Sequence, residues 1–94
     1  MPLFVVQHTH TAESCPAGDR EAAPQLLQLI AAAPQAGVTI LGEAVVDGEH
    51  ELNIIATADD AGTIEQFMAP FAQMGSVTVR PASHCENVVG RGYC

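Results

Sequence analysis

Three residues able to bind a metal ion or to carry acid–base chemistry crowd into eight positions of this chain: His8, His10 and Cys15, within the stretch QHTHTAESCPAGD. The 94 residues hold four histidines and three cysteines, so this short segment takes three of those seven. On a strand, residues i and i+2 point to the same face about 6.6 Å apart, close enough for two imidazoles to lean onto one ion at roughly 2.0–2.1 Å. His8 and His10 then make a two-nitrogen clamp, and Cys15 adds a thiolate from a flexible loop. Imidazole with thiolate suits nickel, copper or zinc and argues against magnesium or calcium, which prefer oxygen. A second pair, His84-Cys85, lies near the C-terminus, followed by Cys94. Cys94 reads as an exposed thiol that could pair with Cys15 or Cys85 on oxidation.

Other chemistries find less support. There is no phosphate-cradling glycine loop, no paired Cys-x-x-Cys and no nucleophile elbow. Redox chemistry at Cys15 or Cys85 would need an imidazolium beside the thiol, and in an extended segment the side chains of His84 and Cys85 point apart. Glu43 interrupts an apolar stretch and Arg80 an alternating one. Their ordinary reading is an exposed polar pair on the outward face of a sheet; the sharper one is a cross-subunit ion pair, or Glu43 as an oxygen ligand or base. Met68 and Met74 fall on an apolar helix stripe and read as core.

Composition bounds these readings. Eleven acidic residues against three arginines and no lysine give a net charge of −8, which repels phosphate backbones and anionic lipid surfaces and favours cations. Nucleic acid and membrane are therefore not expected partners. The N-terminal run Leu3-Phe4-Val5-Val6 is too short for a signal peptide, and no segment approaches the roughly 20 apolar residues of a membrane span, so a cytoplasmic location is expected. In a reducing compartment an odd number of cysteines suits ligands or free thiols rather than a disulfide framework. One domain of this length is marginally stable alone, and oligomerisation would add burial.

The elements that must position these residues follow from patterning. Leu3 to about Thr9 reads as a strand. Asp19 caps a helix from Arg20 to about Ala33, with Leu26, Leu29, Ile30 and Ala33 on one stripe, ended by Pro34 and Gly37. Val38–Val46 and Glu49–Thr57 flank Asp47-Gly48, a dipeptide suited to a two-residue type I′ hairpin turn. Asp59 or Asp60 caps a second helix bearing Ile64, Phe67, Met68, Phe71 and Met74; Pro70 predicts a kink or break in it, and Gly75 a stop. Ser76–Ala82 alternates as a last strand.

The order β-α-β-β-α-β predicts an α+β, ferredoxin-like domain over residues 1–82 and a C-terminal tail over 83–94. It has a four-stranded antiparallel sheet with two helices on one face. The first and third strands lie side by side at the centre, so the end of strand one, with His8 and His10, meets the start of strand three, with His50. Cys15 leaves the same edge. Strand four ends at the far side, so His84 and Cys85 reach this group only if the tail folds back or a partner subunit supplies its own. Both faces of the hairpin are partly apolar, which favours a homodimer stacked sheet to sheet.

The strand LFVVQHTH, the hairpin GVTILGEAVVDGEHELNIIATADD and the closing VTVRPAS resemble small bacterial proteins of ferredoxin-like, dimeric α+β-barrel type, a nickel-binding family among them. The resemblance spans residues 1–82 and implies a dimer with histidine ligands, for which His8 and His10 match best. The cysteine loop and the His84-Cys85 tail depart from it. The sequence thus favours a binding module: a homodimer holding a transition metal on His8, His10, Cys15, His50, His84 and Cys85 for storage, buffering or sensing. The rival reading is a small dimeric barrel enzyme, an oxygenase or isomerase, in which His8, His10 or Glu43 lines a pocket between sheet and helices.

Overall fold

The computed structural model describes residues 1–94. Strands β1 (Leu3–His10), β2 (Thr39–Val45), β3 (Glu51–Thr57) and β4 (Gly75–Ala82) form one sheet in the order β2-β3-β1-β4, antiparallel at every pairing. Helices α1 (Ala22–Ala31), α2 (Ala61–Phe67) and α3 (Ala69–Ala72) connect them, and α4 (Cys85–Arg91) follows β4. This is the expected ferredoxin-like α+β arrangement.

Period-two alternation builds the inner face. Phe4, Val6 and His8 of β1 and Leu52, Ile54 and Ala56 of β3 are buried, while their neighbours in sequence are less so. Ile64, Phe67, Met68 and Phe71 from α2 and its continuation close over them, and Leu26, Leu29 and Ile30 of α1 pack against the same cluster. Both helical connections therefore cover one face, and the other stays open, exposing Ile55 beside Val5. The molecule is thin in consequence, with principal extents of 46 × 30 × 17 Å. No helix is long and apolar enough to cross a membrane.

Several local features differ from expectation for identifiable reasons. Asp19 does receive the backbone N–H groups of Glu21 (2.8 Å) and Ala22 (3.2 Å), but these bonds hold a turn, and α1 starts only at Ala22. Pro34 tightens the far end into a 3-10 turn, Ala33–Ala36. Pro70 divides the second helix into α2 and α3, as a residue without an N–H must. Gly75 opens β4 rather than merely ending a helix. A Cβ there would collide with the Thr9 carbonyl oxygen, so the two backbones approach closely only because the residue is glycine.

The hairpin is not a two-residue type I′ turn. Gly48 has φ of 80° but Asp47 does not enter positive φ, and the Glu49 N–H donates to the Val46 carbonyl at 3.0 Å. The Val46 N–H donates to Glu51 O at 3.1 Å, so residues 47–50 form the loop, and β3 begins two residues later than expected.

A β-bulge between Ile40 and Gly42 alters β2 more consequentially. It shifts the parity by one, so that Ile40 pairs with Ala56, and Glu43 with Ile54, all on the helix-covered side. Arg80 pairs with Val5 on the open side. The expected outward pair of Glu43 and Arg80 is therefore corrected: the two lie on opposite faces, because one extra residue in β2 turned Glu43 inward.

Candidate metal centre

The end of β1 assembles the site. His8 and His10 share the inner face, their ring centroids 5.1 Å apart. The His10 backbone N–H donates to the His50 carbonyl at 3.1 Å, which ties the strand end to the hairpin loop and sets the two rings 5.2 Å apart. Cys15 arrives from a loop pinned by reciprocal hydrogen bonds between Thr11 and Ser14. One ligand atom each from His10, Cys15 and His50 lie within 4.8 Å of one another. Bond lengths of 2.0–2.3 Å in a tetrahedral shell put ligand atoms roughly 3.3–3.7 Å apart. Ligation by all three would need these atoms drawn to that spacing.

His8 stands behind this group, 2% exposed, with Phe71 edge-on at 5.5 Å. Its Nδ1 lies 3.2 Å from the Ser76 carbonyl oxygen, which can only accept, so Nδ1 carries the proton and Nε2 presents a bare lone pair. That is the arrangement by which metal-ligating histidines are commonly oriented. Nε2 of His8 and both ring nitrogens of His10 are buried without a hydrogen-bond partner. Orphaned buried polar groups cost on the order of 1–3 kcal/mol each, so three in one corner mark a place prepared for something else.

Electrostatics agree. Burial holds the His8 pKa below the usual imidazole value, the neighbouring His10 lowers it further, and the bond to Ser76 opposes both. Burial lowers His10 as well, with His50 adding to the effect. Lowered values keep these rings neutral near pH 7, as metal ligation requires.

The residues singled out from sequence divide in two. The fold gathers His8, His10, Cys15 and His50. It leaves His84 and Cys85 at the opposite end of β4, where Ala82 pairs with Leu3 while Gly75 pairs with His10. Seven residues of strand separate those ends by roughly 23 Å. His84 caps α4, Cys85 is exposed, and Arg91 secures the terminus by donating to the Tyr93 carbonyl at 2.9 Å and the Cys94 carbonyl at 3.1 Å. This chain's own tail does not fold back to the cluster. Sequence reasoning did not place the Ser76 carbonyl or Phe71 at the site. The first is a backbone group with no residue-type signature, and the second reads simply as core.

Residues 2–91 match the family model described as Domain of unknown function (DUF3303). The chain belongs to this family. The DUF3303 domain thus runs from β1 through the whole of α4 and takes in both the cluster and the terminal helix, while its description names no metal and no activity. No curated protein matches the chain.

Proposed function

We propose that this DUF3303 protein binds a transition-metal ion, nickel, copper or zinc, through His10, Cys15 and His50, with His8 beside them. It does so for storage, buffering or sensing. The observation that carries the reading is the convergence of three ligand atoms from three separate segments around a His10 ring whose nitrogens have no other partner. A cation there satisfies groups that are otherwise orphaned, and the net charge of −8 favours its approach. A homodimer joined through the open sheet face, in the cytoplasm, completes the proposal; Val5 and Ile55 supply the apolar surface. In such a dimer His84 and Cys85 belong to the site only where the partner's tail crosses over.

Metal analysis of the purified chain tests it. Stoichiometric nickel, copper or zinc is expected, and it should vanish in the His8→Ala/His10→Ala double variant; protein that takes up none of the three ions in excess defeats the proposal. A second reading, an enzyme with His8 or Glu43 as base, draws on a cavity beside the cluster. It gains over the first if metal-free protein binds small molecules there.

A further inference from the structure

We infer that the metal cluster forms one wall of a pocket for a small neutral nitrogen heterocycle bearing an apolar substituent, its ring nitrogen taking the coordination position that the protein leaves open. This rests on the metal reading above.

A cavity of about 170 Å³ lies against the cluster, with His8, His10, Cys15 and His50 in its lining. Its other walls are Leu26, Leu27 and Ile30 of α1, Val45 of β2, Leu52 of β3 and Phe71 of α3. Size comes first. The volume is close to the roughly 150 Å³ of a cavity that stays dry and accepts benzene, and below the 300–1,000 Å³ of sites for drug-sized molecules. It suits one ring with a modest substituent.

Chemistry narrows the class further. The leucine, isoleucine, valine and phenylalanine walls favour an apolar body, and Glu43 and Glu49 in the same lining repel an anionic one. The histidines and Cys15 fix the end at which a ligating head group sits, while Glu43, level with Ile54 and Val6, lies further along the wall. Three protein ligands leave a tetrahedral ion one open position. The lining also holds two acceptors, His8 Nε2, which has no partner, and Glu43, which the bulge in β2 turns toward the cavity. A head group that both ligates and donates a hydrogen bond satisfies this pairing. A neutral imidazole-type ring has one nitrogen for each task. A carboxylate head donates nothing and meets Glu43 and Glu49, both in the cavity lining, within a chain of net charge −8. Leu27, 68% exposed, stands at the mouth where an apolar substituent would enter.

The test is titration of the cobalt(II)-loaded full chain with 4-ethylimidazole, imidazole and acetate, read from the cobalt visible bands. 4-Ethylimidazole is expected to bind about tenfold tighter than imidazole, because its ethyl group is buried, and acetate more weakly than either. Leu27→Trp and Val45→Trp, at positions exposed enough to spare the fold, should keep the cobalt and lose that preference. Cobalt-loaded protein with no preference for 4-ethylimidazole, or a preference that survives both variants, overturns the pocket and leaves the metal site standing. A chain that takes up neither cobalt nor nickel, copper or zinc overturns both.

Discussion

The two ends of the sheet each carry histidine and cysteine, and they differ in everything that makes such residues useful. At one end His10, Cys15 and His50 come from a strand end, a loop and a hairpin, and both ring nitrogens of His10 are buried and unpartnered. At the other, His84 and Cys85 are neighbours in sequence on a short exposed helix that contributes nothing to the core cluster. Adjacency along the chain produced no cluster, whereas separation by up to 40 positions did. A ligand site needs side chains aimed at one point and shielded from water, and only tertiary structure supplies that.

The sharpest way to break this contrast is to remove each pair in turn. Losing His8 and His10 should abolish stoichiometric metal, an effect beyond the roughly 10–100-fold that loss of an outer hydrogen-bond partner costs. His84→Ala/Cys85→Ser should leave metal content unchanged; a fall to half or less would bring the partner's tail into the site instead. Next in size is a pair of glycines. Gly75→Val forces β4 away from Thr9 and His10 and should lower Tm by roughly 5–20 °C while weakening metal binding. Gly90→Ala in α4 meets open space and should not lower Tm at all.

Acid sharpens the contrast more gently. His8 and His10 have folded pKa values below their ordinary 6.5. The unfolded chain therefore takes up protons first as pH falls, and stability is lost from about pH 6.5 downward until the native rings protonate too. Thermal melts of metal-free protein from pH 7.5 to 5 should show this decline, with a shallower slope in His10→Gln. The smallest effect is on alkylation. Zinc should slow modification of the partly buried Cys15 by iodoacetamide, as followed by peptide mass spectrometry, and leave the rate at exposed Cys85 unaltered.

Much of this was legible in the sequence. Alternation and helical spacing gave the element order, and the order gave the strand arrangement that puts His10 beside His50. Pro70 announced the break between α2 and α3. What stayed hidden depended on single residues of register. Nothing in VTILGEAVV says that the strand bulges between Ile40 and Gly42, yet that bulge decides whether Glu43 faces solvent or the cavity. The hairpin loop differs from expectation because Asp47-Gly48 suits type I′ locally, while strand pairing continues only to Val46 and Glu51. The helix at Cys85–Arg91 carries two glycines nearby and too short an apolar pattern to register.

The 17 Å thickness has its own consequence. With only 14 of 94 residues buried, an empty copy holds itself together by a slender margin. Whatever occupies the corner at His10 adds its binding free energy directly to that margin. Cellular proteases, which sample transiently opened chains, would then clear vacant molecules faster than filled ones, so abundance itself becomes a record of supply.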